Sequence, residues 1–419
     1  HSRDICRALI ESDKYDVKIQ SVRWGNTPPN ALEKDNPHHQ DISKRILREP
    51  RLDKQPDLHL HIVIPNEFTQ IGKKNIGITA GIEHSVPPAD WVEGCNRMDM
   101  TIFTSEFSKR GFTEATYDKV DKNTQQNLGS LKLEKPAEVL FEGADPEIYK
   151  ETKEISKDLK EQFSQIKEDF CFLFVGHWLN GNLGEDRKDV GMMLKVFFES
   201  FKNQKNPPAL IMKTSGATFS IIDREEILDK IKTIKDSISA KSLPNVYVLH
   251  GDFKDEEMNQ MYNHPKVKAH LSFTHGEGFG RPLLEASFSG KPIIAPISTG
   301  QADFLDADYT IELPHSMTKV PKGALPKEYL NDEAMWSQVD YNSAFNIIKN
   351  TYKNYDKCKL RGKKQMIVNK EHFTHEKMKD KLVDIVDNIL SDVPQEVKIK
   401  LPSLKSTNSK KLKLPKLKG

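Results

Sequence analysis

From Phe170 to Phe273 short apolar runs alternate with helical stretches, and few folds accept that alternation. The runs Phe170–Val175 (FCFLFV), Ala209–Lys213, Val246–Leu249 and Ala269–Phe273 are nearly continuous in apolar residues, as strands buried on both faces are. Helical spacing over Val190–Phe201, Arg224–Ser237 and Glu256–Tyr262 separates them. Strands of this kind, each followed by a helix, form a parallel sheet covered on both sides. Ligands then bind beyond the carboxyl ends of the strands.

The first part of the chain repeats the theme. Strands are expected at Val17–Val22, Leu58–Ile64, Asn75–Ala80, Met100–Phe103 and Ala137–Phe141, with helices at His1–Glu11 and Ile42–Leu47. At 419 residues the chain exceeds one ordinary core. The expectation is therefore α/β, with two facing, Rossmann-like, doubly wound units and a cleft between them. Residues 1–165 form the first unit and 166–375 the second, with the charged stretch from Asp145 to Glu168 as a connector lacking a deep core. Helical patterns follow around Tyr341–Tyr355 and Lys377–Leu390. Residues 376–396 supply a helix returning to the first unit, and 397–419 a basic tail. An α/β unit normally opens on a strand, so a first strand is expected to precede His1.

Composition narrows the function. With 30% charged and 37% hydrophobic residues the chain is globular, and no run approaches the roughly 18 apolar residues of a membrane span. A net charge of +2 is nearly balanced, so the total does not by itself point to a nucleic-acid partner. The tail is the exception, with eight lysines and no acid from Val397 to Gly419. It reads as a solvated segment with at most weak contact to an anionic surface. Cys6, Cys95, Cys171 and Cys358 lie far apart with no CxxC pair, which fits a reducing, cytoplasmic setting, peripheral to a membrane at most. His38, His39, His59 and His61 read as structural rather than metal-binding.

The chemistry concentrates in Leu271–Ala295, LSFTHGEGFGRPLLEASFSGKPIIA, a strand, a glycine-rich loop, a short helix and a second strand. Gly276, Gly278 and Gly280 fall at alternate positions, which excludes the G-x-G-x-x-G dinucleotide fingerprint, and no Gly-Lys-Ser/Thr completes a P-loop. Gly278-Phe279-Gly280 instead lets bare backbone approach a diphosphate, with Pro282 suited to a first helical turn. Glu277 and Glu285 offer carboxylates to hydroxyl groups. Asp306-Ala307-Asp308 has the DxD form of a metal site, but it closes the second unit rather than following nucleotide-binding strands, and no metal is expected.

Glu277 and Glu285, with seven residues between them, are similar to the E-x7-E signature of retaining GT-B glycosyltransferases of the GT4, or group 1, kind. The similarity runs on through Pro282-Leu283-Leu284-Glu285-Ala286, Gly290-Lys291-Pro292-Ile293-Ile294-Ala295 and Ser298-Thr299-Gly300. The resemblance implies that Glu277 contacts the donor sugar, Glu285 the ribose, and the amides near Phe279 and Gly280 the diphosphate. Phe174-Val175-Gly176 followed by Arg187-Lys188 resembles the family's strand, glycine and basic pair. Lys188 is then the cation for the leaving diphosphate, with Arg187 second. His177 stands where the family often carries arginine. Lys213 ends a buried strand facing the cleft, and His250 and Gly251 resemble the base-binding region. In the first unit, Gly81–Pro87, Trp91, Asn96, Asp99 and Ser105-Glu106-Phe107 are similar to a subset of these transferases. That places Glu83 and His84 on the acceptor side, with Glu67 ranked lower.

The implied reaction transfers a sugar from a nucleotide diphosphate to a hydroxyl of a glycan, lipid-linked or other acceptor, with no permanently bound cofactor. A sugar phosphorylase, an epimerase and a catalytically silent scaffold of the same architecture are the alternatives.

Overall fold

The computed structural model describes residues 1–394 except 24–30, 50, 121–123, 125, 180, 327 and 328. The lysine-rich tail, 397–419, lies outside the described residues.

The second unit is built on the strand Cys171–Val175. Its side chains alternate, Phe172 and Phe174 entering one apolar cluster and Cys171 and Leu173 the other. Each fully buried aromatic contributes about 1.5–3 kcal/mol, so a strand with both faces covered belongs at the sheet centre. Parallel neighbours flank it, Ala209–Lys213 on one side and Val267–Leu271 on the other. Val246–Leu249, Ile293–Ala295 and Ile311–Glu312 complete six strands, whose spatial order numbered along the chain is 3-2-1-4-5-6. The helix Val190–Phe201 covers one face because Val190, Met193, Leu194, Phe197, Phe198 and Phe201 form a single stripe. It ends at Lys202, ahead of Asn203 at φ 61° and of Pro207-Pro208.

The first unit has four parallel strands in chain order, Leu58–Ile62, Lys74–Thr79, Met100–Phe103 and Ala137–Val139. Its core holds Ile5, Ala8 and Leu9 of the helix Ser2–Glu11 against Ile76, Ile78 and Ile102. Met378, Leu382, Ile385, Val386 and Ile389 of the helix His375–Leu390 fill the same cluster. That helix starts at Thr374, whose hydroxyl accepts the Lys377 amide, and is spaced to present one apolar stripe.

Three expectations need correction. Val17–Val22 forms no strand: Ile19 makes one bridge to Ile46 at the surface, because only one side of the segment finds apolar neighbours. The helix expected at Ile42–Leu47 runs over Pro37–Lys44, capped by Asn36, and residues 45–47 extend to meet Ile19. The segment from Asp145 to Glu168 has a deep core after all. Tyr149, Leu159, Phe163 and Ile166 are buried in the second unit, three of them on or beside the helix Lys157–Ser164. The helix expected near Tyr341–Tyr355 is found at Tyr341–Lys353, and a further helix, Tyr355–His372, follows it. Antiparallel hairpins at Thr116–Val120 with Asn127–Lys132, and at His315–Lys319 with Met335–Val339, were not legible. No described helix is long and apolar enough to cross a membrane.

Candidate active site

In a 3-2-1-4-5-6 sheet the loops leaving the first and fourth strands diverge, and the crevice between them takes ligands. Here Gly176 and His177 leave Cys171–Val175, and the segment 272–277 leaves Val267–Leu271. The segment 184–189 joins them, since the His275 amide donates to the Arg187 carbonyl at 2.9 Å.

Four charged side chains meet in this crevice. Lys188 Nζ donates to Glu277 Oε1. Arg187 Nη1 lies 3.5 Å from Glu277 Oε2 and 3.4 Å from Glu83 Oε1. It also donates to the Gly276 carbonyl at 3.2 Å. Glu277 and Lys188 are each 8% exposed. Burial works against the Glu277 charge, yet Lys188 and Arg187 outweigh it and hold the carboxyl below its ordinary pKa. For Lys188 burial wins, lowering the ammonium pKa although Glu277 opposes the change. The Thr299 hydroxyl accepts the Glu277 amide at 3.0 Å and so fixes the loop.

His177 reports the field of this place. Burial lowers its pKa, and the charges of Lys188, Arg187 and Lys213 lower it further, against the bond to Gly216. Burial would disfavour any charge there, whereas the three neighbouring cations disfavour only a further cation. Among the described residues the amides of Gly278, Phe279 and Gly280 donate to no protein acceptor. The Phe279 side chain is buried 5.1 Å from the Phe304 ring, leaving the backbone as its polar contribution. Gly280, at φ 99°, begins the helix Arg281–Ser287, with Pro282 in its first turn.

Gly276 and Gly278 have a different duty. A Cβ at Gly276 would collide with the Glu83 carbonyl, and one at Gly278 with the Ala80 carbonyl, both backbone of the first unit. Thr104 reinforces the contact by bonding to Ala80 and Gly278 carbonyls at 2.8 and 3.2 Å. Gly278→Ala should therefore cost about 1–3 kcal/mol and enlarge the radius of gyration in solution scattering. Unchanged scattering and stability would show that the loop absorbs the methyl group by itself.

The remaining candidates lie apart from Glu277. Lys213 Nζ donates to the Gly251 carbonyl at 2.7 Å and sits 4.7 Å above the Phe253 ring. The His250 ring lies 3.3 Å from the Thr214 carbonyl and 3.1 Å from that of Ser220. A pocket of about 300 Å³ opens beside them, lined by Tyr247, His250, Phe253, Arg224 and Gln162 among others. Glu285 is held by Arg281 Nε at 2.8 Å and lies 3.5 Å from the Tyr262 hydroxyl. Burial raises its pKa, with Arg281 opposing. The same Arg281 donates to Asp4 of the first unit. His84 is buried, its Nε2 3.0 Å from the Tyr329 carbonyl, and does not join its neighbour Glu83 on Arg187. Glu67 is exposed at the end of the turn Pro65–Glu67. Asp306 accepts the Asp308 amide in a turn, and no described cluster of His, Cys, Asp or Glu side chains is arranged to hold a metal ion.

Sequence reasoning missed Thr104, His275 and the Asp4–Arg281 contact. The last joins residues 277 positions apart, and no local pattern marks such a pair.

Comparisons with known proteins bear on the fold. Residues 160–313 match the family described as glycosyl transferases group 1. Among solved structures, HepE from Anabaena, in complex with UDP and glucose, is 13% identical with a TM-score of 0.51, covering 75% of this chain and 72% of its own. Sucrose-phosphate synthase from Thermosynechococcus elongatus is 13% identical with a TM-score of 0.52, covering 77% and 69%. An alpha,alpha-trehalose-phosphate synthase (UDP-forming) from Burkholderia xenovorans, in complex with glucose-6-phosphate, is 10% identical with a TM-score of 0.53, covering 76% and 68%. The shared architecture is the GT-B fold. No curated protein matches the chain.

Proposed function

We propose that this chain, whose residues 160–313 carry the group 1 glycosyl transferase match, is a retaining hexosyltransferase using a nucleotide-diphosphate donor. The observation that carries the reading is the crevice itself. Two cations, Lys188 and Arg187, meet a buried Glu277 where the strand order switches, beside loop amides without protein acceptors. A diphosphate needs such a cationic, donor-rich place, and a sugar needs a carboxylate within reach of its hydroxyls.

In the proposed reaction the bond from the anomeric carbon to the diphosphate oxygen breaks, and a bond to the acceptor oxygen forms on the same face. The acceptor proton passes to the leaving phosphate. Negative charge grows on that diphosphate, and Lys188 and Arg187, already desolvated and held in place, stabilise it there. Glu277 serves twice, gripping the sugar and keeping Lys188 charged and aimed. Glu83, on the other side of Arg187, stands where an acceptor hydroxyl would arrive. The first unit's backbone against Gly276 and Gly278 closes the crevice and excludes water.

The direct test is thermal unfolding in the presence of UDP-, GDP- and ADP-hexoses. A ligand at 100 times its Kd stabilises the native state by about 2.7 kcal/mol, so the correct donor should raise Tm where free hexose does not. UDP-glucose is the first to try, given the UDP complexes of the similar folds. Absence of any shift across the panel would favour a silent scaffold.

A further inference from the structure

The strand Met335–Val339 lies beyond the residues that match the family, yet it and its flanking residues reach three segments of the site. At its start the Ser85 amide donates to the Met335 carbonyl at 2.8 Å, and the Met335 amide returns a bond to Ser85 Oγ at 3.0 Å. Ser85 directly follows Glu83 and His84. Two residues along, the Ser337 amide donates to the His275 carbonyl at 2.9 Å. His275 Nδ1 is 2.7 Å from the Ser337 carbonyl, and Nε2 is 3.1 Å from that of Gly184. Trp336 stacks on the His275 ring, 4.1 Å between centroids and 13° from parallel. Just past the strand, the Tyr341 hydroxyl donates to Asp189 Oδ2 at 2.7 Å. Asp189, fully buried at φ 50°, follows Lys188.

One short strand therefore holds the loop of Glu83, the loop of Glu277 and the segment of Arg187 and Lys188. A strand advances about 3.3 Å per residue and resists stretching, so it sets the spacing between the loops it bonds. His275 is the anchor, because among the described residues it alone meets the strand by backbone, ring hydrogen bond and stacking while its amide holds the Arg187 carbonyl.

We propose that His275 is a positioning residue that locks the strand Met335–Val339 onto the donor loops, and that this strand holds the acceptor-side loop 83–85 in register with the Lys188–Glu277 pair. Its kinetic consequence rests on the transferase reading, whereas its structural consequence does not.

Hydrogen exchange read by mass spectrometry on the full chain tests the structural part. His275→Ala and Trp336→Ala should accelerate exchange in peptides covering 83–87 and 335–339, while Trp336→Phe, which keeps the stacking, restores protection. With UDP-glucose as donor, His275→Ala should lower kcat about 10- to 100-fold with KM for the donor within about threefold, as misplacement rather than lost binding predicts. Unchanged exchange at 83–87 in a folded His275→Ala chain overturns the proposal. Should that variant not fold, Ser85→Ala, at the other end of the strand, takes its place: unchanged exchange at Met335 together with unchanged kcat overturns it equally. A wild-type chain that turns over no nucleotide sugar defeats the functional reading, and exchange still decides the strut.

Discussion

Glu277→Ala is expected to abolish transfer and to lower folding stability by about 3–5 kcal/mol, the cost of leaving a buried charge without its partner. Two cations lean on this carboxylate, Lys188 by a direct bond and Arg187 at 3.5 Å. Without it, both stay buried beside each other. Replacing both members of the direct pair, Lys188→Met with Glu277→Leu, removes the unpaired charge and should recover most of the stability while leaving the enzyme inactive. Lys188→Met alone should lower kcat about 10²–10³-fold, the usual loss on deleting one preorganised group that stabilises transition-state charge. Urea unfolding gives the stabilities and donor turnover the rates. A double variant no more stable than Glu277→Ala would mean that the pair does not set the cost, and a Glu277→Ala chain with undiminished turnover would sink the role given to Glu277.

Arg281→Leu should produce a loss of similar size, about 3–5 kcal/mol by the same reasoning, but through the docking of the two units. Arg281 donates to Asp4 of the first helix and to Glu285 of its own. Its removal leaves two enclosed carboxylates with no cation between them. The pH dependence follows from the signs. Burial alone would raise the Asp4 pKa, but Arg281 outweighs it and holds the carboxyl below its ordinary value. A depressed folded pKa contributes stability above the unfolded value of about 3.9 and loses it as pH falls. Glu285 has the opposite sign: burial raises its folded pKa, so its ionised form costs stability above about 4.3, and more so once Arg281 is gone. Both effects shrink on acidification, so the gap between wild type and Arg281→Leu should narrow below about pH 4. A gap that stays constant between neutral and acid pH would show that the guanidinium packs rather than neutralises. The ribose role considered for Glu285 requires the ligand to compete with or join Arg281, which measurement of UDP against uracil binding in this variant would reveal.

Five strands of the six-stranded sheet could be read from the sequence as short apolar runs, a pattern that depends on neighbours a few residues apart, whereas the two-residue edge strand Ile311–Glu312 could not. The first unit was harder. Val17–Val22 has strand composition, but composition carries no information about whether a sheet edge is free to receive it, and Ile19 found only Ile46. The segment from Asp145 to Glu168 looked like a solvated connector because its apolar residues are outnumbered by charges. Its four buried side chains find their partners on the helix Asp255–Asn263, the strand Val267–Leu271 and the helix Arg281–Ser287.

The sequence by itself determined the alternating architecture and the chemical inventory of the loop from Gly276 to Glu285. Those follow from local periodicity and from residue types whose chemistry does not depend on context. Which groups work together was decided only by the tertiary structure. Lys188, Arg187 and Glu277 meet within the second unit, Glu83 joins them from the first, and Glu285 is drawn to Arg281 on its own helix and His84 to Tyr329 far along the chain. Gly278, which the loop alone assigns to a diphosphate, also owes its identity to the first unit's backbone pressed against it, as does Gly276. The physical reason is the same in each case: burial and charge pairing are set by distances through space, and those distances exist only once the chain has folded.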